Sequence, residues 1–166
     1  DQALALYDSR VRAVHSLEVS DMIDASGLLW RIELLTDSVG QRWRELALAW
    51  TRHIGDGFCS FNDVHVMLAL VGARDWTGAH ALENELMRRH NLATRHGETT
   101  RLVGLAACRA IMAFGRGDYS RCVELLGRLP PWVQRIGGSH AQRDVLYLTL
   151  LTAIERLRRP RLRVAA

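Results

Sequence analysis

Two stretches of this sequence align with each other 43 positions apart: RDWTGAHALENEL at residues 74–86 and GDYSRCVELLGRL at residues 117–129. Each has an aromatic residue at its third position, Trp76 in the first and Tyr119 in the second, followed three residues later by a small side chain. Self-similarity at a fixed period indicates repeated supersecondary units. A small residue on the same helix face as the aromatic lets a second helix approach closely, so the alignment predicts two copies of one helical hairpin. We expect both aromatic side chains to be largely buried.

The periodicity of apolar residues extends this prediction to the rest of the chain. Apolar residues recur at steps of three and four, and the alternating pattern of strands is almost absent. That period indicates amphipathic helices. We predict helices at residues 2–16, 20–35, 38–54, 60–72, 77–91, 98–117, 118–129 and 139–158.

Several helix starts carry residues that can cap exposed backbone N–H groups. The spacing of Ser139 and Gln142 predicts a capping box, in which each side chain accepts a hydrogen bond from the other residue's N–H. Residues 60–63 have the same spacing, with Asn62 as an alternative cap. Further predicted caps are Ser20, Ser38 and Thr77.

Length and composition are those of one globular domain. The 166 residues are 48% hydrophobic and 24% charged, which is enough for a single core. We predict an all-α fold of stacked antiparallel helical hairpins, with residues 1–166 forming one helical-repeat domain. The chain begins at Asp1 without a methionine, so we expect it to be a fragment of a longer protein.

Charge and cysteine usage limit the partners and the compartment. The formal net charge is +4, and all 22 basic residues are arginines. Most are interspersed with acids, which disfavours nucleic-acid binding; the one basic run starts at Glu155. No apolar run approaches the roughly 18 residues of a membrane span. The three cysteines form no CxxC pair, so we expect reduced thiols, with Cys108 and Cys122 in the core, and a cytoplasmic protein.

Four motifs in a fixed order resemble a known family. They are DMIDASGLLWRIEL (21–34), VGQRW (39–43), FNDVH (61–65) and GGSHAQRDV (137–145). From about Tyr7 to Ala153, the chain is similar to the C-terminal part of the tetratricopeptide repeat protein 38 family, in a bacterial member. The resemblance implies a degenerate tetratricopeptide-like α-solenoid. It implies no activity.

The same motifs hold the polar residues that could form a site. The capping box explains part of the stretch IGGSHAQRDV (136–145), but not its histidine, arginine and aspartate. We expect these three side chains to point inward toward acids and a histidine of earlier helices, and Arg143 to pair with a carboxylate. The candidate residues are Asp21, Asp24, Arg31, Asn62, Asp63, His65, His140, Gln142, Arg143 and Asp144.

Two interpretations of this set remain open. A buried hydrogen-bond network could fix the register between hairpins, or the helix starts could line a ligand-binding or catalytic pocket. Histidine and aspartate can bind metals, but Asp63 and His65 are two positions apart and diverge on a helix. We therefore predict no metal site and no cofactor.

Two functions follow from these interpretations. The first is a helical-repeat scaffold that binds a protein or peptide partner, because repeat proteins present extended binding surfaces. The alternative is an enzyme or ligand-binding domain whose polar pocket is formed at helix N-termini by Asp24, Asp63, His65, His140 and Asp144.

Overall fold

The computed structural model describes residues 2–36 and 38–158, and every regular element within those ranges is helical. The predicted all-α class is therefore confirmed. The α-helices are α1 (Gln2–Leu6), α2 (Val19–Thr36), α3 (Arg42–Thr51), α4 (Ser60–Gly72), α5 (Trp76–His90), α6 (Arg95–Thr99), α7 (Leu105–Gly115), α8 (Tyr119–Gly127) and α9 (His140–Arg158).

Three further helical segments connect or extend these helices. A π-helical segment (Tyr7–Val11) continues α1, a second one (Thr100–Gly104) joins α6 to α7, and a 3₁₀ turn (Val133–Ile136) precedes α9. No helix of the described residues is long and apolar enough to cross a lipid bilayer.

Helix α4 lies at the centre of the core. Its residues 60–61 and 63–71 are all buried, and it packs against α2, α3, α5 and α7. A helix that is apolar on nearly every face is stable only when neighbours surround it. Helix α7 is the second central element, and both Cys108 and the neighbouring α8 residue Cys122 are fully buried, as expected, and unbridged.

The two aligned stretches form the turn and the second helix of two equivalent hairpins, α4–α5 and α7–α8. Each turn is closed by the same backbone hydrogen bond, from Asp75 N to Leu70 O (2.8 Å) and from Asp118 N to Ala113 O (2.9 Å). Each aspartate then caps the next helix by accepting from the N–H three residues later. The predicted pair of hairpins is confirmed, with aspartate as the shared cap.

Close packing explains the glycine that precedes each turn. A Cβ on Gly72 would lie 2.3 Å from the Trp43 ring, and a Cβ on Gly115 would lie 2.2 Å from Cγ1 of Val71. Real Cβ atoms do not approach so closely. Each first helix of a hairpin therefore ends against a neighbour through a position that only glycine can occupy.

The expectation that the hairpin aromatics are largely buried is met only in part. Trp76 and Tyr119 are only half-buried. The guanidinium of Arg116 lies 4.9 Å above the Trp76 ring, and that of Arg156 lies 5.5 Å from the Tyr119 ring. Each ring packs against the core on one side and is covered by an arginine on the other. The small residues on the same helix faces, Ala79 and Cys122, are fully buried.

Helix α2 packs against α9, although they are far apart in sequence. The indole Nε1 of Trp30 donates to Oγ1 of Thr149 over 2.9 Å, and both side chains are buried. This contact joins the first long helix of the chain to the last, so α4 and α7 are enclosed between them.

Several predicted caps are wrong because the helices begin elsewhere. Helix α2 begins at Val19, so Ser20 lies inside it. Helix α3 begins at Arg42, two residues after the Ser38–Gly40 turn. Asp75 rather than Thr77 caps α5.

Two other helix boundaries differ from the prediction. The first helical stretch ends at Val11 rather than at residue 16, and α6 begins at Arg95, capped by Thr94, rather than at residue 98. Most of the predicted basic run lies beyond Arg158, outside the described residues.

Candidate functional site

The stretch IGGSHAQRDV forms the tight entry to α9, and its capping box is confirmed. Ser139 N donates to Oε1 of Gln142 (2.9 Å), and Gln142 N donates to Oγ of Ser139 (3.2 Å). Arg143 donates to the backbone carbonyls of Gly137 and Gly138. The prediction that Arg143 holds a carboxylate is wrong, because its guanidinium folds back onto the glycine turn.

Asp144 pairs instead with Arg31 of α2. The same guanidinium donates to the carbonyl of Ala141 and to that of Gly27, each at 2.7 Å. One arginine thus ties the middle of α2 to the N-terminal turn of α9. The Arg31 and Asp144 side chains are 26% and 40% exposed, so this pair is a half-exposed tether.

His65 lies beneath this tether and is almost completely buried. Its Nδ1 donates to the carbonyl of Phe61 over 2.8 Å. Burial lowers the pKa of His65 to about 4, with the nearby Arg31 charge acting in the same direction. The imidazole is therefore neutral at pH 7 and serves as a packed, hydrogen-bonded core residue.

Asp63 belongs to a different cluster on another face of α4. Its carboxylate pairs with the guanidinium of Arg89 at 3.0 Å, and both side chains are only 6% exposed. His96 Nε2 lies 3.5 Å from the same carboxylate, and Glu85 lies 3.4 Å from Arg89. The buried pair replaces the predicted capping box, because Asp63 turns toward α5 instead of toward the start of its own helix.

The remaining candidates stay near the surface. Asp21 and His140 are exposed, and Asn62 is half-buried and accepts a hydrogen bond from Cys59 Sγ at 3.3 Å. Asp24 is exposed and receives a long hydrogen bond of 3.5 Å from Gln142. The structure therefore brings together Asp24, Arg31, His65, Gln142 and Asp144, and places Asp63 in a different cluster.

The positions of these residues decide whether the pocket predicted at the helix starts is formed. The predicted pocket shared by His65, His140 and Asp144 is not formed, since His65 is enclosed and His140 faces solvent. In the described part of the chain, no three His, Cys, Asp or Glu side chains are placed to hold a metal ion. Of the two interpretations, the geometry of these residues matches a network that fixes the position of α9 on α2.

An apolar cleft opens beside this network, between α8, the 3₁₀ turn and the first half of α9. Its volume is about 280 Å³. His140, Arg143 and Asp144 lie at its polar edge. The apolar lining consists of Leu126, Leu129, Pro130, Val133, Leu146, Tyr147 and Leu150.

A second, polar pocket of about 320 Å³ lies at the other end of α9, where the two hairpin turns meet α2. Glu33 lies in it, and its carboxylate accepts a hydrogen bond from Nε1 of Trp43. Burial raises the pKa of Glu33, while the Trp43 hydrogen bond and the charges of Arg156 and Arg74 oppose that shift.

None of these pocket residues was among the candidates from the sequence. One signal was available: the 43-residue alignment places Arg74 opposite Gly117. An arginine at a turn position that takes glycine in the other copy is unexpected.

Comparison with known proteins adds no family to this description. No protein-family model matches the sequence, and no solved structure matches the chain.

Proposed function

We propose that this protein is a helical-repeat module that binds an amphipathic helix of a protein partner in the apolar cleft between α8 and α9. The cleft is the observation that carries the proposal. Exposed apolar side chains lie in and next to the segments that form the cleft. Tyr147 is 60% exposed, Leu151 is 44% exposed and Trp132 is 40% exposed. Contiguous exposed apolar surface next to a cleft is characteristic of interaction sites.

The packing of the two hairpins supports a helix as the occupant. Helix α5 packs against both α4 and α7, and α8 packs against both α7 and α9. Each second helix of a hairpin thus bridges two first helices. On α9, Tyr147 and Leu151 are four residues apart and share one exposed face. A helix laid along that face would continue the bridging pattern.

The charges around the cleft favour acidic residues on the partner helix. Arg143 lies at the edge of the cleft and has no carboxylate partner among the described residues. Arg128 and Arg135 lie on the bordering segments and form exposed ion pairs with Glu124 and Glu98. The carboxylate of Asp144 is already held by Arg31. Opposite charges at the rim of an interface increase specificity and association rate.

The resemblance to the tetratricopeptide repeat protein 38 family, and a degenerate α-solenoid as the architecture, are part of the same proposal. The equivalent α4–α5 and α7–α8 turns support a repeat origin. The contact between α2 and α9 closes the side on which an open array would present a groove. We therefore assign partner binding to the outer cleft.

Designed peptides test this proposal without a known partner. We expect an amphipathic helix with leucines on one face and glutamates on the other to bind at least about tenfold more tightly than an arginine counterpart or a scrambled peptide. Fluorescence anisotropy with labelled peptides measures this.

Variants locate the binding site. We expect Tyr147→Asp to weaken binding by about tenfold or more, and Tyr147→Phe to retain it. Leu48→Asp, which changes an exposed leucine on α3, is the matched control and should leave the affinity unchanged. Equal affinity for all three peptides, or full binding by Tyr147→Asp, would contradict the proposal.

A further inference from the structure

We propose that the polar pocket at the hairpin turns binds a small oxyanion, a phosphate or carboxylate group, through the guanidinium of Arg74. This pocket is separate from the apolar cleft. It is formed by the C-terminal half of α2, the α4–α5 turn, the α7–α8 turn and the C-terminal turn of α9. The two equivalent turns therefore contribute to one pocket side by side.

The backbone of Arg74 is strained. Its φ is +57°, in the left-handed region that favours glycine, and the equivalent residue of the second hairpin is Gly117 with φ +76°. The two residues occupy equivalent positions in the two hairpin turns. A glycine at position 74 would adopt this backbone conformation without strain. Residues held in such conformations cluster at binding sites, and a strained outlier is an observation from which a function can be inferred.

No direct ion pair accounts for the arginine, although its charge opposes the rise in the pKa of Glu33. The Arg74 side chain is exposed, and within residues 2–36 and 38–158 no side chain forms an ion pair or hydrogen bond with its guanidinium. Some arginines elsewhere in the described chain, such as Arg89 and Arg109, have carboxylate partners. Arg74 therefore presents its donors to the pocket and to solvent.

Two further arginines on the pocket walls are held in place by aromatic rings. Arg116 lies over the Trp76 ring and is 2.6 Å from Nε2 of His80. Arg156 lies 5.0 Å above the Phe114 ring and donates to the Tyr119 hydroxyl at 3.0 Å. Guanidinium groups fixed by stacking are suited to bind phosphate or carboxylate oxygens.

The net charge of the lining also favours an anion. Glu33 is the only acid among the described lining residues, against Arg74, Arg116 and Arg156. Its carboxyl group is hydrogen-bonded by Trp43. Burial raises the pKa of this carboxyl group, while the Trp43 hydrogen bond and the charges of Arg156 and Arg74 oppose the rise.

Titration with small probes tests the proposal. We expect inorganic phosphate, acetate or both to shift the amide resonances of residues 74–76 and 115–119 in a saturable manner, while ethylammonium does not. The tighter of the two anions identifies whether the ligand is phosphate-like or carboxylate-like. If ethylammonium binds more tightly than both anions, or no anion saturates, the proposal is overturned.

Two variants of Arg74 distinguish an effect on anion binding from an effect on stability. We expect Arg74→Gly to weaken anion binding by about tenfold or more while raising the denaturation midpoint, because the strain is relieved. Arg74→Gln removes the charge without relieving the strain, so it should lose binding at an unchanged midpoint.

The matched control is Arg52→Gln, which removes an exposed arginine at the opposite end of α3 from Trp43. It should bind the anion like the unmodified protein. Equal loss in Arg52→Gln would show that the anion responds only to overall charge, and retained binding in Arg74→Gly would show that Arg74 does not hold the anion. Either result would overturn the proposal.

Discussion

At the scale of single residues, Asp63 and Arg89 form the most enclosed ion pair of the described structure. Removing one partner of a buried pair leaves the other charge without compensation. We expect Asp63→Ala to lower the free energy of unfolding by about 3 kcal/mol or more, measured by urea denaturation.

The exposed pair between Asp8 and Arg42 provides the control for Asp63. The Asp8 side chain is 51% exposed, so we expect Asp8→Ala to lower the free energy of unfolding much less than Asp63→Ala does. Similar losses in both variants would show that burial of the Asp63 pair carries no energetic consequence.

His65 makes stability depend on pH. Its pKa is about 4 in the folded protein, below its ordinary value of 6.5. Protonation therefore favours the unfolded chain: the contribution of the neutral imidazole is complete above pH 6.5 and is lost as the pH falls toward 4. The difference corresponds to about 3 kcal/mol.

The His65→Gln variant isolates this contribution, because glutamine does not titrate. We expect the unfolding free energy of the unmodified protein to fall more steeply between pH 6.5 and 4 than that of the variant. Parallel curves over this range would contradict a neutral, buried His65.

At the scale of elements, the hairpins depend on glycines that permit close approach. A Cβ on Gly115 would overlap Val71 of the neighbouring helix, whereas a Cβ on Gly127 of α8 would meet nothing within 4 Å. We expect Gly115→Ala to destabilise the protein by about 1–3 kcal/mol. The midpoint of thermal denaturation measures this loss.

Gly127→Ala is the control for the hairpin prediction. It adds helix propensity in open space, so it should be neutral or stabilising by up to about 1 kcal/mol. If Gly115→Ala were equally harmless, the close contact between the hairpins would not be as tight as the structure has it.

The elements themselves were largely predictable from the sequence. Helix periodicity, the 43-residue alignment and the capping box of Ser139 and Gln142 depend on residues close together in the chain, and these predictions are confirmed. The caps at Ser20 and Ser38 were wrong. A serine is suited to a cap, but packing decides where a helix begins.

At the scale of the whole molecule, the closure of α2 on α9 depends on a buried hydrogen bond. Thr149→Val removes the acceptor of the Trp30 indole while nearly preserving shape, and leaves a buried N–H unsatisfied. We expect a loss of about 1–3 kcal/mol. Thr152→Val is the control, because the described contact of that hydroxyl is to Leu148 O within α9, and it should cost less than half as much.

The candidate site was only partly predictable at this scale. Asp24, Arg31, His65, Gln142 and Asp144 do lie together, but Asp63 lies with Arg89 on another face of α4. Asp63 and His65 are two positions apart on a helix, so the sequence predicted that their side chains diverge. The arginines that they approach were not predictable. Arg89 is 26 positions from Asp63, and Arg31 is 34 positions from His65.

The sequence by itself determined the helices, the two equivalent hairpins and the capped entry to α9, because those features arise from the 3.6-residue period, from repeated turns and from side chains three positions apart. Only the tertiary structure decided that α9 packs on α2, that Arg31 rather than Arg143 holds Asp144, and that two separate pockets lie at the ends of α9. The physical reason is that the contacts between α2 and α9 join residues more than 100 positions apart, whose choice of partner depends on how all the helices share one core.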